Sequence, residues 1–440
     1  MTPQRYLHAM IFFHVTVLAI AWVVVARWGH PDRCRLDVAR WLRALAIDLG
    51  IAAILTYGAS LLATIAANVG YLHRLFLGEI SGRLMGQALF GEAILVAIGL
   101  ASRHRQAGRS LRAATLGLSA ASLLVVYVDA YRIEPRSLRV RHHVVDDAAG
   151  DPDARTIRIL HLTDIQTPVI GAHEERALRT GLSYRPDLIV LTGDYVQDAL
   201  GRPTEHDAAR DLRSLMTRIG FEAPLGVFAT EGDVGPPCGE VFAGTPVRCL
   251  VDANAVVTLP DGGTLGITGL SRGRGRERSP AWLARLLSRG PGADHRMVIS
   301  HSPDFVDAMP VSVDLVLAGH THGGQVVVPL FGPPTTASRL PRLYAGGLHD
   351  YRGTPLHVSR GVGMERGFAP PVRFLCPPEI CVLELRLPRH GAARDPARPP
   401  MLNRRQWSFP TSDFTSANFG VITSQFNTAR TPQLEARYIF

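Results

Sequence analysis

Four apolar segments crowd the first 130 residues, over about 8–26, 45–69, 84–100 and 111–128. A bilayer core takes about 20 apolar residues per helix, and a cleaved leader would account only for the first segment. Four in succession predict a four-helix transmembrane domain over 1–135. Asp48 and Asp129 sit near segment ends, whereas Glu92 lies mid-segment, where a carboxyl group is expected to face the bundle interior. Residues 136–155 are polar, with Asp146, Asp147, Asp151 and Asp153, and read as a linker. From 156 the pattern alternates. Strands are predicted at 157–164 (IRILHLTD), 187–194 (DLIVLTGD), 226–233 (GVFATEGD), 297–301 (MVISH) and from 315 into GHTHGGQ, with helices at 174–182 and 205–219. The second helix puts Leu212, Leu215, Met216 and Ile219 on one face. Strand–helix alternation predicts a layered α/β fold.

Each of the five strands ends in a carboxylate or an imidazole: Asp164, Asp194, Asp233, His301, and the pair His320 and His322. Ligands in α/β folds gather at the carboxyl ends of strands. One such acid can be a helix cap, and one histidine a satisfied structural residue, but capping does not account for all five ends. Alternate residues of an extended segment point the same way, so His320 and His322 can face one point. Gly323 and Gly324 let the backbone approach closely.

The net charge is +9, and all 47 cationic side chains are arginine. They are scattered through loops without interleaved aromatics, so no nucleic-acid partner is expected. The loop SRGRGRERS carries Arg272, Arg274, Arg276 and Arg278, and either grips a phosphate or anionic lipid or is a solvated loop. Nine arginines flank the first and third apolar connections and seven the opposite side, which places those connections in the cytoplasm and the downstream domain outside it. The five cysteines include no C-x-x-C pair, so a zinc knuckle is not expected. Cys238 and Cys249 flank a short Pro/Gly-rich loop and can pair in an oxidising compartment, or remain thiols.

The run TDIQ, TGDYVQD, EGDVG, SHSPD and GHTHGGQ resembles the calcineurin-like metallophosphoesterase superfamily, whose pattern is D-x-H, G-D, G-N-H, a lone H, and G-H-x-H. The match covers roughly 156–388, and CPPEI at 376–380 resembles the membrane-associated bacterial branch. The resemblance implies a two-layered sandwich domain over 156–388 and two divalent metal ions. Asp194 would bridge them, with Asp164 and His322 on the first and Asp233, His301 and His320 on the second. Mixed carboxylate and imidazole ligands suit Mn, Fe or Zn. Such a pair clamps a phosphoryl group for in-line attack. Asp194 and Asp233 are the residues expected to matter most for catalysis.

Three positions depart from the pattern. Gln166 stands where the D-x-H histidine belongs and can ligate only through its amide oxygen. Asp233 replaces the usual asparagine. Val234 replaces the G-N-H histidine, which in that family stabilises the transition state or protonates the leaving oxygen. General acid help is typically worth about 10²–10⁴-fold. The expected function is therefore hydrolysis of a phosphomonoester or phosphodiester, with a lipid-linked phosphate as one candidate, by a partly degenerate site. The alternative is an inactive membrane protein that binds metal or phosphate. The expected location is the bacterial inner membrane, multi-pass, with the catalytic domain extracytoplasmic. Residues 389–440 read as a linker and a tail. The tail resembles the last hairpin of a TonB-dependent outer-membrane barrel, but closing a barrel takes at least about eight strands, so no function follows from it.

Overall fold

The computed structural model describes residues 104–388 except 149–150, 152–153, 199–203, 272–278, 290–291 and 367–369, with a few helical positions before 104 and the pair 401–402. Two compact units make up the chain. The first carries the helix Ser110–Val128, which continues through a π-helical turn at Asp129–Ile133. The helical run Ser110–Arg136 spans 27 residues and is the one helix among the described residues long and apolar enough to cross a bilayer. The first two apolar segments lie outside the described residues, and the third is described only at a few helical positions.

The second unit begins at Glu134 and holds two sheets. The strands are β1 (Arg139–Asp146), β2 (Arg155–Leu162), β3 (Leu188–Thr192), β4 (Val227–Thr230), β5 (Val247–Cys249), β6 (Ala253–Thr258), β7 (Thr264–Gly269), β8 (His295–Ile299), β9 (Leu315–Ala318), β10 (Gly347–Tyr351), β11 (Thr354–Val358), β12 (Glu379–Leu387) and β13 (Met401–Leu402). The first sheet runs β13-β1-β12-β2-β3-β4-β5 and the second β10-β11-β9-β8-β7-β6. Strands β2 to β5 are parallel, as are β7, β8, β9 and β11. Their carboxyl ends therefore lie along one edge of each sheet.

The continuous apolar runs of the central strands follow from burial on both faces. Ile157 and Ile159 of β2 face Ile267, Met297 and Leu315 of the second sheet. Leu160 and Leu162 face the opposite way, onto Leu178, Leu212, Leu215 and Met216 of the helices Ala172–Ser183 and Glu205–Ile219. The outer face of the second sheet is covered by Leu283, Leu286 and Leu287 of the helix Pro280–Arg289. Helices thus cover both outer faces of a two-sheet sandwich. Thr204 caps the second helix through Asp207, and Gly220 closes it in the left-handed region at φ 62°.

The reading of 136–155 as a linker is corrected by β1, which pairs with β12 over its whole length. Arg139, Arg141, His142 and His143 make the segment polar, because only part of one face is covered. The core unit also starts earlier than 156. Glu134 is 8% exposed and accepts hydrogen bonds from the backbone N–H groups of Leu375 (2.8 Å) and Cys376.

Cys238 and Cys249 form a disulfide, tying a short helix at Cys238–Val241 to β5 across 11 residues. A loop of that size constrains the unfolded chain by about 3 kcal/mol. Replacing both cysteines by serine should lower unfolding free energy by roughly that amount in a denaturant titration, and reductant should have the same effect.

Candidate active site

The strand ends bring six predicted residues into one cluster. Asp164 follows β2, Asp194 follows β3, Asp233 follows β4, His301 follows β8, and His320 and His322 follow β9. His301 is the hub. Its Nε2 lies 3.2 Å from Asp194 Oδ2, 3.4 Å from Asp233 Oδ1 and 3.3 Å from His320 Nδ1. His320 Nδ1 lies 3.4 Å from Asp233 Oδ2, and His322 Nε2 lies 3.4 Å from Asp164 Oδ1. Two overlapping triads emerge: Asp233, His301 and His320, and Asp164, Asp194 and His301, each with ligand atoms within 4.8 Å of one another. Gln166 reaches the same loop through its backbone, donating N–H to the Asp194 carbonyl at 2.8 Å, and its side chain is fully buried.

Local backbone shape is part of the site. Asp164, Gln166, Asp194, His320 and His322 all sit at positive φ, between 39° and 71°. Non-glycine residues seldom adopt this conformation, which persists where the surroundings enforce it, commonly at functional sites. Close approach demands glycine at two places. A Cβ on Gly232 would meet Asp194 Oδ1 at 1.9 Å, and one on Gly319 would meet Thr163 Oγ1 at 2.0 Å. The Gly232 turn lets the backbone N–H groups of Asp233 and Val234 reach Asp194 Oδ1, at 2.7 and 3.1 Å. That fixes one Asp194 oxygen and leaves the other facing His301.

Three supporting groups hold these side chains, and two of them escape a sequence reading. The Thr192 carbonyl accepts a hydrogen bond from His301 Nδ1 at 2.8 Å, and the Ala337 carbonyl accepts one from His320 Nε2 at 3.2 Å. Each fixes a tautomer, leaving His301 Nε2 and His320 Nδ1 as electron-pair donors toward the cluster. Thr163 Oγ1 holds Asp164 Oδ2 at 2.8 Å. The threonines preceding both strand-end acids are visible in sequence; the carbonyls carry no residue-type mark.

Burial raises the Asp194 carboxyl to about 7, with the charges of Asp233 and Asp164 adding to it against the pull of His301. Burial also works to raise the 40%-exposed Asp233 side chain, but the hydrogen bond and charge of His301 and the charge of His320 outweigh it and hold the carboxyl well below its usual range. His301 is raised well above its usual value: burial opposes this, and the Asp194 carboxylate overcomes it. A buried group of carboxylates sharing protons with imidazoles is a site built to hold positive charge.

The donor set fits divalent metal ions. Asp164 Oδ1 is buried and accepts no hydrogen bond, and His322 Nε2 lies 3.4 Å from it. The histidine tautomers expose the correct nitrogens. Residues 157–324 match the family described as Calcineurin-like phosphoesterase. The phosphodiesterase YaeI of Escherichia coli K12 is 31% identical over 261 residues, 56% of this chain and 87% of YaeI. The chain belongs to the calcineurin-like phosphoesterase family. The metallophosphoesterase YkuE of Bacillus subtilis is 30% identical, covering 53% of this chain and 77% of its own length. The UDP-2,3-diacylglucosamine pyrophosphatase LpxG of Chlamydia muridarum is 25% identical over 52% of this chain and 83% of its own. Family membership makes this chain a metal-dependent phosphoric ester hydrolase.

Below the phosphoesterase site, His161 of β2 is fully buried, hydrogen-bonded to Thr192 Oγ1 at 2.8 Å and to His357 at 3.0 Å. Burial lowers its imidazole to about 3. The unfolded chain gains this proton near pH 6.5 whereas the folded chain does not, so protonation favours unfolding. The contribution of this one group to stability should fall by about 1.4 kcal/mol per pH unit below 6.5, down to about pH 3. Denaturant titrations at pH 7.5 and 5 should show the wild type losing about that much more stability than His161→Asn over the same interval.

Proposed function

We propose that the chain is a membrane-anchored two-metal phosphoesterase, with Asp194 bridging, Asp164, His322 and Gln166 on one ion, and Asp233, His301 and His320 on the other. The observation that carries this reading is the convergence of five strand ends on His301 Nε2 and the Asp194 carboxylate. The bound ions would supply Lewis acidity toward a phosphoryl oxygen and an activated water. The chain's own residues orient and balance charge. Asp194 is held by two backbone N–H groups, and His301 and His320 are held by carbonyls. Asp233 adds a negative charge that offsets the cations. Val234 offers no proton to a leaving oxygen, so the site favours esters whose leaving group departs without a general acid.

The anchor is the segment 1–135 read as four helices, supported by the membrane-length helix Ser110–Arg136. The domain arrangement is the anchor, then a phosphoesterase core that begins with β1 and ends near 388, then a tail to 440. An extracytoplasmic site is favoured by the disulfide, since such bonds persist in oxidising compartments. Anchoring puts the site near lipid, and a lipid-linked phosphate is the substrate class favoured. LpxG, whose name specifies a diacylated sugar nucleotide, is similar over half of this chain. The test is a panel of chromogenic phosphomonoesters and diesters, together with lipid-linked pyrophosphates in mixed micelles, assayed on the full chain with Mn, Fe or Zn. Turnover of at least one class supports the reading. Metal binding without turnover of any favours the inactive metal-binding alternative.

A further inference from the structure

The middle of the layer between the two sheets is apolar, and polar side chains gather at the end beneath the active site. There His143 of β1, His161 of β2 and Cys381 of β12 meet His357 of β11 from the opposing sheet. The register explains the meeting. Cys381 is the direct cross-strand partner of His161, and His143 lies two residues along β1 from the partner of Cys381. Cys381 and His357 are fully buried. The ring of His357 packs against those of His143 and His161, at centroid distances of 4.9 and 5.1 Å. Polar groups in such a layer cost free energy unless a bonded role offsets it.

From this geometry we infer that His143, His357 and Cys381 form a further metal site, separate from the phosphoesterase cluster, for one divalent ion of Zn(II) type. One ligand atom from each lies within 4.8 Å of the other two. Ligands bonded at about 2.0–2.3 Å to one tetrahedral ion stand roughly 3.3–3.8 Å apart, so binding would draw the three side chains together and take Cys381 Sγ from its contacts with Ser359 and Glu379 at 3.7 Å. Two imidazoles and a thiolate form a borderline-soft set that selects Zn(II) or Co(II) over Mg(II) or Ca(II). His161 braces His357 from behind at 3.0 Å, as outer partners of ligating histidines do. The ion would join β1 and β12 of one sheet to β11 of the other. Through His357 and then His161 it would connect to Thr192, whose carbonyl holds His301.

Cobalt substitution of the full chain separates this site from the phosphoesterase cluster, whose residues offer only nitrogen and oxygen, and cysteine variants separate it from the other thiols. Bound Co(II) should give near-ultraviolet thiolate-to-metal charge-transfer absorption. That band should persist in Asp194→Asn, in Cys34→Ser and in Cys376→Ser, the other buried free thiol among the described residues, and vanish in Cys381→Ser with loss of one equivalent of metal. Should Cys381→Ser fail to fold, His143→Gln on partly exposed β1 should weaken Co(II) affinity at this band by at least about tenfold. No band in the wild-type chain, or a band that survives Cys381→Ser or disappears in Cys376→Ser, overturns the assignment.

Discussion

Asp194→Asn should reduce phosphoester turnover by at least about 10²–10³-fold, the scale of losing one preorganised charged group from an active site. Asp194 is 2% exposed, and its Oδ1 accepts two backbone N–H groups while Oδ2 faces His301 at 3.2 Å. Asparagine has the same shape and can keep Oδ1 engaged. It then presents an amide N–H₂ where His301 and a cation need a negative oxygen. The fold should survive, because a buried carboxyl already raised to about 7 contributes little as a charge to stability. Steady-state kinetics and thermal unfolding on the same preparation separate the two effects. Lost turnover with an unchanged melting temperature is the expected pair. Turnover within a few-fold of wild type would remove Asp194 from the chemistry.

The second large effect runs the other way. Gln166→His together with Asp233→Asn and Val234→His rebuilds the family pattern and should raise turnover of simple phosphodiesters by about 10²–10⁴-fold, the worth of a positioned proton donor. The local geometry supports the placement. The Val234 N–H is tied to Asp194 Oδ1 at 3.1 Å, so a histidine side chain there starts from a fixed point beside the cluster. A native site adapted to a different ester would lose its own activity as the variant gains the simple one. An unchanged rate on every ester, with fold and metals intact, would mean that position 234 does not correspond to the family's proton donor.

Much of the site was legible because the signal is local. A buried parallel strand is a short apolar run, and a polar residue closing it stands where ligands gather. That logic brings Asp164, Asp194, Asp233, His301, His320 and His322 to one place, and the structure assembles all six. Strand β1 was not legible. Its apolar content is confined to Val140, Val144 and Val145, and its pairing with β12 joins residues about 240 positions apart, which no window of sequence contains. The Thr192 and Ala337 carbonyls that orient His301 and His320 were invisible for a different reason: every residue has a carbonyl, and only the folded chain shows which are aimed at a ring. His143, His357 and Cys381 lie in separate strands with no ligand spacing, so only the sandwich brings them together. Gln166 and Val234 were visible as departures from the motif, and the folded chain shows their backbone N–H groups bonded to Asp194.

The central claim is that the strand-end cluster holds a pair of divalent cations about Asp194. Crystals of the full chain grown with Mn(II), with anomalous scattering recorded at the manganese edge, test it most directly. Two anomalous peaks about 3.5–4 Å apart are expected, one on each side of the Asp194 carboxylate, with His301 and His320 at one and His322 and Asp164 at the other. Well-ordered side chains at these residues with no anomalous peak among them would contradict it.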